Sequence, residues 1–121
     1  MATAKKKANK SPAPRFWKFH QNNSGGSFHI DDATGIGPNV WIEAIDRGHA
    51  IYRASAIGIY FNGCEEGIDC PCCGDRWSEP WQDEGEESFS INNQYDFYWH
   101  NAVCVHRIDG SIERITKAEA I

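Results

Sequence analysis

The sequence predicts a small α+β domain, with an antiparallel sheet of hairpins, one packed helix and a cysteine-rich loop of the zinc-knuckle type. Three observations predict it. Short aromatic and β-branched runs alternate with clusters of turn residues. A single stretch, 46–57, carries apolar residues at helical spacing between a capping aspartate and a glycine. The run DCPCCGDRW, residues 69–77, places three thiols within four positions. A chain of 121 residues, 40% hydrophobic, with five tryptophans, four tyrosines and six phenylalanines, suffices for one modest core.

Residues 1–14 carry Lys5, Lys6, Lys7 and Lys10 with no acid and two prolines, which predicts a disordered basic tail ahead of a single domain at 15–121. RFWKFHQ (15–21) reads as a first strand, QNNSGGS (21–27) as a turn, and SFHID (27–31) as the returning strand of a hairpin. ATGIGP (33–38) is a loop. NVWIEAI (39–45) alternates Val40, Ile42 and Ala44 with Trp41 and Glu43, a third strand. Asp46 is a good N-cap, Ala50, Ile51, Ala54 and Ile57 share a helical face, and Gly58 stands where a left-handed C-cap belongs. Gly48 costs that helix about 1 kcal/mol relative to alanine. IYF (59–61) leads into the cysteine loop, and Glu79, Asp83, Glu84, Glu86 and Glu87 mark 78–94 as an acidic surface excursion. YDFYW (95–99) and AVCVHRI (102–108) are strand-like, and Asp109-Gly110 is a hairpin signal joining the latter to SIERI (111–115).

Charge narrows the partners. The net charge is −5 with four lysines in the tail, so the body carries about −9. An acidic body argues against wrapping duplex nucleic acid, which requires clustered Lys and Arg. No apolar run is long enough to span a membrane. The N-terminal run lacks the apolar centre of a secretory leader, so a reducing cytosol is the expected compartment.

Cys70-Pro71-Cys72-Cys73-Gly74 contains the C-P-x-C-G pattern, in which two thiolates reach one ion, glycine permits the tight turn, and backbone N–H groups point back at sulfur. A second C-x-x-C is missing, so the pattern is half of a four-coordinate site. Cys64, with Cys70, Cys73 and Cys72, is the first choice for local closure; Cys104, His106 or His100 are the alternatives. A full set of thiolates makes a zinc ion here structural rather than catalytic. Two other readings stay open: metal-free structural thiols, and a redox pair, which lacks the helix that normally follows such a motif. No Ser/His/Asp set, phosphate-cradling loop or H-E-x-x-H is present, so no enzyme is expected.

Taken together, QNNSGGSF (21–28), VWIEA (40–44), GIYFNG (58–63), DCPCCGDRW (69–77) and VHRIDGSIERI (105–115) resemble a family of small uncharacterised proteins of tailed bacteriophages. The resemblance covers 15–115, and the CPCCGDRW run is its most specific element. It implies a phage accessory protein made in the cytoplasm of an infected bacterium and implies no activity. The functional expectation is therefore a non-enzymatic module that binds a host or phage protein, with a zinc-stabilised loop and contacts from Arg76, Trp77 and Trp81. For Asp75, Arg76 and Trp77 the bland alternative is a local ion pair beside a packed ring. The other functional readings are a nucleic-acid-binding module using the lysine tail and cysteine loop, and a thiol redox protein.

Overall fold

The protein is described from a computed structural model, which covers residues 13–22, 26, 28–89, 91 and 102–116. The lysine tail, the strand expected at 95–99 and His100 lie outside the described residues. Four strands, β1 (Arg15–His20), β2 (Asn39–Ala44), β3 (Ala102–His106) and β4 (Ile112–Thr116), form one sheet in the order β1-β2-β3-β4. One helix, α1 (Arg47–Ala56), packs on it. The α+β class with a packed helix and a cysteine cluster is as the sequence predicts.

The sheet is mixed rather than antiparallel throughout. β1 pairs antiparallel with β2, and β3 with β4, but β2 and β3 run parallel, with Val40 beside Cys104 and Ile42 beside His106. Parallel neighbours need a long crossover, and here α1, the cysteine loop and the acidic segment all lie within it. No strand forms at 28–31, and β1 has β2 as its sheet neighbour instead. The Gln21 side chain takes over the pairing that a returning strand would have made. Its Oε1 accepts from the His29 amide at 2.7 Å, and its Nε2 donates to the carbonyls of His29 and Gly37 at 2.7 and 2.8 Å. Asp31 and Ile36 then close a tight loop through a two-bond bridge.

The helix is capped as its sequence dictates. Asp46 Oδ1 accepts from the His49 amide at 2.8 Å. At the other end Gly58 has φ +108°; Ile59 N–H reaches the Ala54 carbonyl at 3.0 Å and Gly58 N–H the Ser55 carbonyl at 3.2 Å, the paired bonds of a Schellman stop. Ala50 and Ala54 bury themselves against the sheet with Trp17, Phe19, Val40, Ile42, Ile59 and Trp77. The opposite sheet face is covered by a second cluster, Phe16, Trp41, Val103 and Val105, with Phe89, Ile91 and Ile115 packed around it. Both faces of β3 are therefore shielded, as a central strand requires.

The acidic excursion is exposed along most of its length, yet it is anchored. Glu86 exchanges two backbone bonds with Phe16, of 2.8 and 2.9 Å, and the Arg47 guanidinium holds the Pro80 carbonyl and the Glu79 carboxylate at 2.7 and 2.8 Å. Gly85 is required there, because a Cβ would lie 2.7 Å from the Trp17 ring.

His106 is buried on the helix side of β3, with Nε2 2.9 Å from the Gly35 carbonyl oxygen. Burial pushes its pKa below the ordinary 6.5, the Gly35 carbonyl opposes this, and the Arg53 guanidinium adds to the lowering. The unfolded chain therefore takes up a proton that the fold refuses. The stability contribution of neutral His106 is intact above pH 6.5 and is lost as pH falls through the depressed folded value. Urea midpoints should drop between about pH 7.5 and about pH 5.5, and that drop should shrink in His106→Gln.

Candidate metal centre

The segment between Tyr60 and Trp77 is built around one buried carboxylate. Asn62 adopts a left-handed backbone, φ 61°, and the carbonyl of the following Gly63 accepts from the Ile68 and Asp69 amides at 2.8 and 2.9 Å, closing the loop on itself. Only glycine fits at 63, since a Cβ would lie 1.9 Å from Asp69 Oδ2. Asp69 is 6% exposed. Its Oδ1 accepts from the Tyr60 hydroxyl at 2.7 Å, its Oδ2 accepts from the Arg76 amide at 2.8 Å, and the Arg76 Nε lies 3.8 Å from Oδ1. Burial, reinforced by the bond to Asp69, raises the Tyr60 pKa, so the phenol stays a donor. The Arg76 guanidinium continues to Gln21 Oε1 at 3.1 Å, tying the loop to the end of β1.

On that base sits the cysteine turn. The Cys70 carbonyl accepts from the Cys73 and Gly74 amides at 3.1 and 3.2 Å, and Gly74 has φ +91°, a conformation that disfavours any side chain. Asn22 clamps the turn from the β1 side. Its Nδ2 donates to the Cys73 carbonyl at 2.6 Å and to the Asp75 carbonyl at 3.3 Å, and its amide donates to the Arg76 carbonyl at 2.8 Å.

The sulfurs of Cys70, Cys72 and Cys73 all lie within 4.8 Å of one another, close enough for one ion to touch all three. Cys70 and Cys72 are 3.1 Å apart. Cys70 is partly buried and the other two are exposed. Hydrogen bonds from the Cys72 thiol, the Cys72 amide, and then the Cys73 thiol and amide lower the Cys70 pKa to about 7. The bond to Cys70 in turn raises Cys72, so the first proton leaves from Cys70. A thiolate near neutral pH flanked by two further thiols is a donor set for a soft or borderline metal ion.

Cys64 does not join this set. Its amide donates to Asp75 Oδ1 at 2.9 Å and its thiol donates to the Cys70 carbonyl oxygen at 3.4 Å. Burial first, then Asp75, raises its pKa, which keeps the proton on sulfur. Cys104 and His106 sit inside the sheet, Cys104 beside Val40 and Arg114, and neither belongs to the sulfur cluster. Of the three expected contact residues, Trp77 is 1% exposed and is a core ring in the cluster that holds Phe19 and Ile59. Arg76 is mostly covered, its guanidinium engaged with Tyr60, Gln21 and Asp69. Trp81 is 74% exposed.

The family model described as Domain of unknown function (DUF7296) matches residues 14–121. The chain belongs to this family. No curated protein and no solved structure matches it. The matched span of this DUF7296 chain contains all four strands, the helix and the cysteine turn, and it begins at the edge of the basic tail. No helix among the described residues is long and apolar enough to cross a membrane.

Two residues that position the DUF7296 turn are not apparent from local sequence. Asn22 sits among turn formers whose composition accounts for it without any partner, and its bond to the Cys73 carbonyl spans 51 positions. Asp69 precedes the first knuckle cysteine as an ordinary loop acid. The only local hint is Gly63, whose lack of a side chain leaves room for that carboxylate.

Proposed function

We propose that this chain is a non-enzymatic binding module of phage origin that works in the cytoplasm of an infected bacterium and holds a zinc ion at its cysteine turn. The observation that carries the metal is the convergence of the Cys70, Cys72 and Cys73 sulfurs on a turn already clamped by Asn22 and Asp69. A preorganised turn binds without first ordering its donors, and three thiolates suit zinc better than magnesium or calcium. The partner is a protein. Trp81 is the contact residue best placed for it, since Arg47 holds the Pro80 carbonyl and Glu84 the Trp81 amide while the ring is left in solvent. The acidic body favours a partner with a basic surface, and the lysine tail supports nucleic-acid contact only as a second, salt-sensitive interaction.

Titrating the reduced, metal-free chain with zinc against a chromophoric chelator tests the metal. Binding should saturate near one equivalent. Loss of an outer hydrogen-bond partner alone weakens metal sites by about 10–100-fold, so Cys70→Ser, which removes a ligand, should weaken this one by more than about a hundredfold. An unchanged titration in Cys70→Ser would sink the assignment. Trp81→Ala should leave the urea midpoint within about 0.5 kcal/mol of the parent while reducing partner capture from infected cells.

A further inference from the structure

Resting on that metal reading, we infer that the chain supplies only three thiolates, Cys70, Cys72 and Cys73, and that a zinc ion held there keeps its fourth position for a monodentate soft donor, a thiolate, from outside the domain. The argument is geometric. Tetrahedral zinc takes four ligands, and three sulfurs already lie within 4.8 Å of one another. Among the described residues no fourth sulfur, imidazole or carboxylate joins this cluster, and the nearest donors hold other partners. The Cys64 thiol donates to the Cys70 carbonyl and its amide to Asp75, so turning the sulfur inward would give up its hydrogen bond to that carbonyl. Asp75 Oδ1 holds that amide, and both Asp69 oxygens are occupied by Tyr60 and by the Arg76 amide beneath the turn. His106 is inside the sheet on the Gly35 carbonyl.

Exposure points the same way. Cys72 and Cys73 are exposed while Cys70 is partly buried, so the cluster lies at the surface, within reach of a ligand from solution. All three donors also lie within four consecutive residues, so the ion closes a very short loop and cross-links no distant segments. Such an ion does little to staple the fold and is well placed to accept an incoming ligand.

Cobalt(II), whose sulfur charge-transfer and d–d bands report the donor set, is the probe, used on the full-length reduced chain with 2-mercaptoethanol as the external thiolate. The expected result is a charge-transfer intensity for three thiolates that rises by about one third, saturably, as 2-mercaptoethanol is added. Cys64→Ser should leave both the starting intensity and the rise unchanged, whereas Cys72→Ser should remove about one third of the starting intensity. A four-thiolate spectrum before any thiol is added, indifference to added thiol, loss of charge-transfer intensity in Cys64→Ser, or a shift of the d–d bands in His100→Ala would overturn the inference while leaving the metal reading standing. Failure to bind cobalt or zinc at all would overturn both.

Discussion

Trp77→Ala should cost about 3–5 kcal/mol, the usual range for truncating a fully buried large aromatic ring, a large share of the about 5–15 kcal/mol that holds a domain of this size folded. The indole is 1% exposed and fills the space between the cysteine loop, Phe19 and Ile59, so its loss leaves a cavity that the short loop has no spare side chain to fill. A second variant separates packing from polarity. The Trp77 indole nitrogen is buried without a hydrogen-bond partner among the described residues, so Trp77→Phe removes an unsatisfied donor along with part of the ring. Its cost should be well below that of alanine. Urea denaturation of the parent and both variants checks the ordering, and an alanine variant as stable as the parent would place Trp77 at the surface.

Asp69→Ala should be the other large loss, again about 3–5 kcal/mol, the range measured when one partner is removed from a buried ionic pair. The carboxylate satisfies the Tyr60 hydroxyl and the Arg76 amide and lies opposite the Arg76 guanidinium, with its side chain 1% exposed. Truncation leaves all three with a missing acceptor under the loop. It should also weaken zinc binding, because Arg76 and Asn22 orient the turn only while the base beneath it is intact. Asp69→Asn keeps the shape and one acceptor and should fall between the parent and the alanine variant. Urea midpoints and zinc affinities measured on the same preparations would reveal whether stability and metal binding decline together.

The parts of the fold that were legible in the sequence are those governed by neighbours in the chain. The alternation of Val40, Ile42 and Ala44 placed β2, Asp46 and Gly58 placed the two ends of the helix, and Asp109-Gly110 placed the β3–β4 turn. In that turn Asp109 accepts from the Ser111 amide and hydroxyl at 2.9 and 2.7 Å, and Gly110 takes φ +94°. Contacts between remote segments left no such signature. The parallel pairing of β2 with β3 depends on where a long crossover returns, which strand composition does not encode. The strand expected after the Asn-Gly-rich turn fails because one side chain, Gln21, satisfies the backbone that would otherwise have formed a ladder.

The candidate site divides along the same line. Cys70, Cys72 and Cys73 were readable from spacing alone, because their separation is fixed by a single turn. Cys64 is also near in sequence, but its sulfur direction depends on Asp75 and the Cys70 carbonyl, which spacing does not reveal. Trp77 shows the limit from the other side. An arginine beside a tryptophan has the same composition whether the ring is displayed or buried; here the Trp77 ring packs in the core cluster while Arg76 is engaged with Asp69, Tyr60 and Gln21.

The measurement that tests the central claim most directly is the metal content of the full-length chain, purified under reducing conditions without an affinity-metal step, beside Cys70→Ser prepared in the same way. The account predicts about one zinc per parent chain and essentially none in the variant. A parent chain that carries no metal, with all five cysteines titrating as reduced thiols, would contradict it.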